Sequence, residues 1–325
     1  MQMKKVSLPD IGSFISRPLF DDATVSGNDP SYPRITVVTP SFNQSRYLEK
    51  TILSVLNQNY PNLEYIIIDG GSTDGSIDII RQYERYLAYW VSERDEGQVD
   101  ALNKGFKRGT GDLFAWQNSD DLYMPGAFLK VAERFSQKPE ADVFFGNFWI
   151  VDSDDNLIRD IRFTPFSFRC SLMEGIGISN QAAFWRRELF EEFGYLDPSL
   201  EFAMDLDWWL RLGHGKAGFC FIRSHLGCLR LHEETKTSTI LNKVGLSERV
   251  KIRSKYSPEV FGTGSKSINA SFWKTVCLLR RTAWYVLQRD FTYLFRGIPR
   301  RMKNLSAAPV KYAGGNDTVS KNRRT

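Results

Sequence analysis

Two neighbouring acids, Asp120 and Asp121, close the stretch "DLFAWQNSDD" directly after an apolar run. Adjacent carboxylates repel each other, and a cation between them removes that repulsion. Ligation by oxygen alone favours Mg2+ or Mn2+ over zinc. Such cations take few protein carboxylates and complete their shell with substrate phosphate. The pair therefore points to a divalent cation, Mn2+ or Mg2+, beside a nucleotide diphosphate. A second cluster, "DGGSTDG" from Asp69 to Gly75, also follows an apolar run, "LEYIIID". Asp69 can accept from a base or ribose, while glycines such as Gly71 let the backbone approach a ligand closely. The same turn also suits a helix start, with Ser72, Thr73 or Asp74 as N-cap ahead of "SIDII". A third cluster, "TPSFNQ", carries Thr39, Pro40, Ser41 and Asn43.

The elements around these clusters follow from hydrophobic period. "RITVVT", "LEYIIID", "AYWVSE", "DLFAWQN" and "ADVFFGN" are short apolar, β-rich runs, which predicts buried strands. Between them, "QSRYLEKTILSVLNQ", "SIDIIRQYERYL", "VDALNKGFKR" and "GAFLKVAERFSQ" have helical spacing. This alternation predicts an α/β fold with a mostly parallel central sheet covered by helices. Ligands of such sheets bind beyond the carboxyl ends of the strands. Sequential strands lie near one another, so the three polar clusters are expected to converge on one crevice. After Asn147 the rhythm changes. "FWIVDSDDNLIRDIRF" predicts a hairpin, "SNQAAFWRRELFEEFGYLD" a strand and a helix, and "MDLDWWLRLGHG" a helix stopped by glycine. "GFCFI" and "LGCLRLH" predict two short strands.

The segments "ITVVTPSFNQSRYLEKTILSVLNQNYPNLEYIIIDGGSTDGSIDII" and "DEGQVDALNKGFKRGTGDLFAWQNSDDLYMPGAF" resemble the N-terminal half of a family 2 glycosyltransferase with the GT-A fold. The resemblance covers about residues 34–235 and consists of several motifs in order. It implies that Asp69 binds the nucleotide, with Pro40 and Ser41 beside the base. The D-x-D metal motif of the family falls on "NSDD", where Asn118 stands for the first aspartate and Asp120 and Asp121 take the metal role. The family's acidic pair at a helix start falls on "MDLDWWLRL", where Met204 replaces the usual glutamate and Asp205 matches the aspartate. By resemblance Asp205 is the general base, facing the acceptor hydroxyl. The alternative for Asp205 and Asp207 is capping at the positive end of their helix. The resemblance further puts Asp100, Asn103 and Lys104 near the donor sugar and diphosphate, and Asn180 and Gln181 on the acceptor side. It puts His232 near the metal or diphosphate. The implied activity is inverting transfer from a nucleotide-diphosphate sugar to a saccharide or lipid-linked saccharide, in bacterial polysaccharide or glycolipid assembly. A non-catalytic nucleotide-sugar or glycan-binding protein on the same scaffold is the rival, kept open by Asn118 and Met204. A sugar-phosphate nucleotidyltransferase would need a Gly-rich basic loop after the first strand. "DGGSTDG" is also not the G-x-G-x-x-G of a dinucleotide oxidoreductase.

The 325 residues suffice for one large α/β domain with an appendage. We expect an irregular arm over 1–33 and a catalytic domain over 34–239, divided near 147 into nucleotide-sugar and acceptor halves. A basic helical extension over 240–303 and a disordered tail over 304–325 complete the chain. Net charge is +5, with Lys and Arg concentrated after about Lys243. In "INASFWKTVCLLRRTAWYVLQRDFTYLF" apolar residues recur at helical spacing among arginines, which fits an anionic membrane interface. No recognition module accompanies the charge, so nucleic acid is not an expected partner. Cys170, Cys220, Cys228 and Cys277 are scattered, with no C-x-x-C pair, as buried thiols in a reducing compartment would be. The N-terminus lacks a signal-peptide apolar core. The expected location is cytoplasmic, peripheral on the cytoplasmic face of the membrane.

Overall fold

The computed structural model describes residues 11–174, 178–257 and 268–291. The chain divides into two compact units, residues 1–274 and 275–325. In the first unit, β1 (Ile35–Ser41), β2 (Leu63–Asp69), β3 (Tyr89–Ser92) and β4 (Leu113–Trp116) pair in parallel in the order β3-β2-β1-β4. The apolar runs of β1, β2 and β4 are buried, every residue of β1 among them, while the edge strand β3 is half-buried. Helices α3 (Ser45–Leu56), α4 (Ser76–Tyr83) and α5 (Gln98–Arg108) form the crossovers. α3 holds Leu48, Ile52, Val55 and Leu56 in the core, as the helical spacing of those residues requires. Two short helices, α1 (Ile11–Phe14) and α2 (Asp22–Val25), precede β1.

The second half of the sheet is mixed. After a two-residue β5 (Leu122–Tyr123) and α6 (Ala127–Gln137) come β6 (Val143–Val151) and β7 (Leu157–Ile161), an antiparallel hairpin over the expected polar turn. Next are α7 (Phe168–Glu174), β8 (Ala183–Arg186), α8 (Glu188–Phe193), α9 (Met204–His214) and β9 (Phe219–Arg230). β8 joins the halves by pairing antiparallel to both β4 and β6. β9 runs parallel to β6 and closes on β5. The two short strands expected at "GFCFI" and "LGCLRLH" are one strand. Its register slips between Ile222 and His225, and pairing with β6 continues across the slip. The charged residues of "IRSH" hid this continuity in the sequence.

From Ile11 onward the segment before β1 is packed on the domain. Ile11 and Ile15 are buried with Leu122, Met124 and Trp149. Asn57 accepts from Leu19 N–H at 2.7 Å and donates to the carbonyls of Phe14 and Arg17. After β9 come α10 (Lys236–Thr239) and α11 (Leu246–Tyr256). The first unit runs to Lys274, beyond the change of composition near Thr239. The helix α12 (Ile268–Leu287) follows. The expected tail over 304–325 lies outside the described residues.

Candidate active site

The turn after β2 is built by its own acids. Asp69 is fully buried. Its carboxylate accepts from the N–H groups of Gly71 at 3.1 Å and Ser72 at 2.8 Å. It also accepts from the hydroxyls of Ser72 at 2.5 Å and Ser92 at 2.7 Å. Gly71 has φ of 83°, a left-handed conformation that glycine adopts without strain. Asp74 accepts from Ser45 N–H at 2.8 Å and from Ser76 N–H and hydroxyl at 3.0 and 2.7 Å. Burial works against the charge, but these hydrogen bonds from Ser76 and Ser45 hold Asp74 down to about 2. Asn43, itself at a φ of 51°, donates its N–H to Ser72 Oγ and accepts from Thr73 N–H. The expected Asp69 and Asn43 thus lock the ends of β1 and β2 into one rigid floor.

The adjacent acids after β4 diverge. Asp121 is fully buried. It accepts from Gln181 Nε2 at 2.7 Å, Asn118 Nδ2 at 2.9 Å and Arg230 N–H at 2.8 Å. Burial, with the neighbouring Asp120 charge, pushes its carboxyl above the usual range despite those donors. Asp120 turns the other way. Its side chain is 17% exposed and its Oδ2 lies 3.0 Å from His232 Nε2. His232 lies against the Tyr47 ring, centroids 4.6 Å apart and planes tilted by 39°. One reachable carboxylate and one imidazole nitrogen form a partial donor set. Among the described residues no cluster of three or more His, Cys, Asp or Glu could hold a metal by itself. By itself such a set would need further oxygen donors to hold a hard divalent cation.

Inside α9 the two aspartates also part. Asp207 is buried, bonded to Arg211 at 2.7 Å and 3.7 Å from Lys255. Asp205 is partly exposed. Its carboxylate bonds the N–H of Leu206 at 2.7 Å. Burial raises its pKa above the ordinary aspartate value, against the hydrogen bond from Leu206 and the Arg249 charge.

Other expected site residues have structural occupations. Asn103 brackets the backbone of Leu196, donating to its carbonyl at 2.9 Å and accepting from its N–H at 3.1 Å. Lys104 lies 3.0 Å from Glu93 and 3.2 Å from Asp100. Thr39 shares a hydrogen bond with the buried Tyr65 hydroxyl. Pro40 lies buried within β1. Gln181 is drawn to Asp121, and Gly227 makes this possible, since a Cβ there would stand 1.9 Å from the Gln181 carbonyl oxygen. Asn118 bridges Gln98 Nε2, at 2.7 Å, to Asp121.

Arg230 belongs to no motif, yet it organises the Asn118–Asp121 loop. It is fully buried, and its Nε donates to the Asp120 carbonyl at 2.8 Å. Its Nη1 pairs with Asp155 in the β6–β7 turn, where Lys50 also binds at 2.6 Å. Its one sequence signal is an arginine inside the apolar "LGCLRLH", two residues before His232. Several buried polar atoms nearby have no protein partner among the described residues: Ser41 Oγ, both Gln117 amide atoms, Tyr47 Oη, Asn180 Nδ2 and Arg230 Nη2. Buried polar groups require partners; Ser41, Gln117 and Arg230 stand at or next to the ends of β1, β4 and β9, Tyr47 in the first turn of α3 and Asn180 just before β8.

A model of the family described as Glycosyl transferase family 2 matches residues 36–194. The uncharacterized glycosyltransferase MT1564 of Mycobacterium tuberculosis is 33% identical over 183 residues, 56% of this chain and 69% of that protein. The putative teichuronic acid biosynthesis glycosyltransferase TuaG of Bacillus subtilis is 37% identical over 119 residues, 35% of this chain and 46% of that one. In fold, the chain is similar to the mannosyltransferase PcManGT from Pyrobaculum calidifontis, solved in complex with GDP-Man and Mn2+. The TM-score is 0.54 at 16% identity, over 90% of this chain and 88% of that one. The chain belongs to glycosyltransferase family 2, with the curled mixed sheet of the GT-A fold. Its role is glycosyl transfer.

Proposed function

We propose that this protein moves a sugar, with inversion, from a nucleotide-diphosphate sugar to an acceptor hydroxyl in bacterial polysaccharide or glycolipid assembly. The carrying observation is the division of labour in α9, where Asp207 is neutralised by Arg211 and Asp205 keeps a carboxylate with a raised pKa. A base whose pKa moves toward the working pH transfers protons more effectively. Asp205 takes the acceptor proton as the hydroxyl oxygen bonds to the anomeric carbon. The bond to the diphosphate breaks, and its electron pair leaves with the diphosphate. The transition state has oxocarbenium character, as in glycoside hydrolysis. The nucleotide lies against the floor formed by Pro40–Asn43 and Asp69–Gly71, with Asp100 and Lys104 toward the diphosphate and Asn180 toward the acceptor. Asp120 and His232 would hold a divalent cation, which neutralises charge on the leaving diphosphate when bound. PcManGT's GDP-Man and Mn2+, and the teichuronic acid role named for TuaG, support donor class, cation and pathway class.

The acceptor is proposed to be lipid-linked, reached from an anionic membrane surface. α12 supports this with Leu279 and Val286, seven residues apart and 62% and 43% exposed, beside Arg280 and Arg281. Among the described residues no helix is long and apolar enough to cross a membrane. Full chain and a Leu279→Ser variant should sediment differently with anionic vesicles at low salt and alike with neutral ones. Equal recovery in the supernatant with both lipids would remove the lipid-linked acceptor.

The transfer itself is tested by incubating the full chain with UDP- and GDP-sugars and Mn2+ or Mg2+. Nucleotide diphosphate release that stops on chelation is expected. Tight nucleotide-sugar binding without turnover of any donor would favour the non-catalytic rival.

A further inference from the structure

The loop that delivers Asp205, Glu201–Ala203, is gripped by a helix well beyond the matched family segment. Three consecutive N–H groups, of Glu201, Phe202 and Ala203, lead into α9; the last is the N-cap, whose N–H has no partner within the helix. The Glu248 carboxylate on α11 accepts from all three, at 2.8, 3.0 and 2.8 Å. Glu248 is 9% exposed, and hydrogen bonds to an ionised acceptor are about twice as strong as neutral ones. The loop is held from its other side too. Lys236 Nζ donates to the Glu201 carbonyl at 2.9 Å. Gly245 sits so close to the Phe202 ring that a Cβ there would stand 2.6 Å from it. At the far end of α11, Arg253 donates to the Leu172 and Met173 carbonyls in the last turn of α7. α11 therefore ties the start of α9 to the end of α7.

We infer that Glu248 is a positioning residue for Asp205, so that α11 completes the active site. This rests on the reading of Asp205 as the base. The physical reason lies in how Asp205 is held. The hydrogen bond to its carboxylate comes from the next residue of its own helix, Leu206. The placement of the carboxylate is then set by the backbone that enters α9, and Glu248 fixes that backbone. Displacing a reacting group by about 1 Å costs on the order of 10²-fold in rate.

The test compares full-length Glu248→Gln, Asp205→Asn and the double variant, by kcat, donor KM and donor affinity from calorimetry. Gln keeps the size but replaces one acceptor oxygen by an amino group facing backbone donors. Glu248→Gln should lower kcat by ~10- to 100-fold, with donor KM and affinity within about twofold. The double variant should turn over no more slowly than Asp205→Asn alone, since Glu248 acts through Asp205. Losses that multiply, an unchanged kcat, or a kcat loss matched by lost donor affinity would overturn the inference. If Glu248→Gln does not fold, Lys236→Met at the exposed side of the same loop decides it by the same comparison. Wild-type turnover by Asp205→Asn would instead refute the base itself, an outcome separate from any effect of Glu248.

Discussion

Exchanging Asp205 and Asp207 for Asn, one at a time, separates chemistry from stability within one helical turn. Asp205→Asn keeps the size and removes the proton acceptor. Turnover should fall by about 10²–10⁴, or roughly 3–5 kcal/mol of barrier. Stability should move the other way. Burial raises the folded pKa of Asp205 above its unfolded value, so ionisation at neutral pH weakens the fold. Asn cannot ionise, so the variant should melt higher at pH 7, with the gain gone below about pH 4. Asp207 is 4% exposed in its side chain and 2.7 Å from Arg211, which is 20% exposed. Removing one partner of a buried pair costs about 3–5 kcal/mol. Here Arg211 keeps the carbonyls of Phe193 and Tyr195 at 2.8 and 2.7 Å, which lowers the cost to about 2–3 kcal/mol. For a unit of this size that is a melting decrease of about 4–12 °C. The assays are thermal unfolding at pH 4 and pH 7 and single-turnover transfer at a temperature where both variants are folded. An Asp207→Asn protein with unchanged melting and lost turnover, beside a fully active Asp205→Asn, would refute the assignment.

Three further outcomes follow from the same geometry. The acid limb of kcat against pH should lie above the ordinary aspartate value of about 3.9, because burial raises Asp205 and only its ionised form accepts a proton; a limb at or below that value contradicts the base. Arg230→Met removes the donor to the Asp120 carbonyl and the partner of Asp155. Mn2+ affinity, titrated by electron paramagnetic resonance with nucleotide diphosphate present, should weaken by ~10- to 100-fold; an unchanged titration would leave Arg230 with a packing role alone. Asp74→Ala removes the acceptor for Ser45 and Ser76 and should destabilise by about 0.5–1.5 kcal/mol. Asp74 is held down to about 2, so this contribution is full above its unfolded pKa and declines as pH falls toward 2. A pH-independent difference in melting between wild type and Asp74→Ala would count against it.

The sequence by itself determined what depends on neighbours in the chain. The parallel half of the sheet is legible because each apolar run and each helical period is complete within a dozen residues. The "DGGSTDG" turn is legible for a similar reason, since Asp69 meets Gly71 and Ser72 and Asp74 meets Ser76 over two or three residues. Only the tertiary structure decided between identical neighbours. Asp120 and Asp121 read alike, and Asp205 and Asp207 nearly so. The partners of the first pair lie far away in the chain, where Arg230 and Gln181 bury one member and His232 faces the other; the second pair is told apart within its own helix, where Asp207 meets Arg211 four residues on and Asp205 meets the N–H of Leu206. Nothing local marks Glu248 as the acceptor for three N–H groups some 45 residues earlier. A carboxylate's role follows from which donors surround it and how much water remains. For Asp120 and Asp121 those donors are Gln181 just before β8, Arg230 at the end of β9 and His232 just after it, and only folding brings them to the acids.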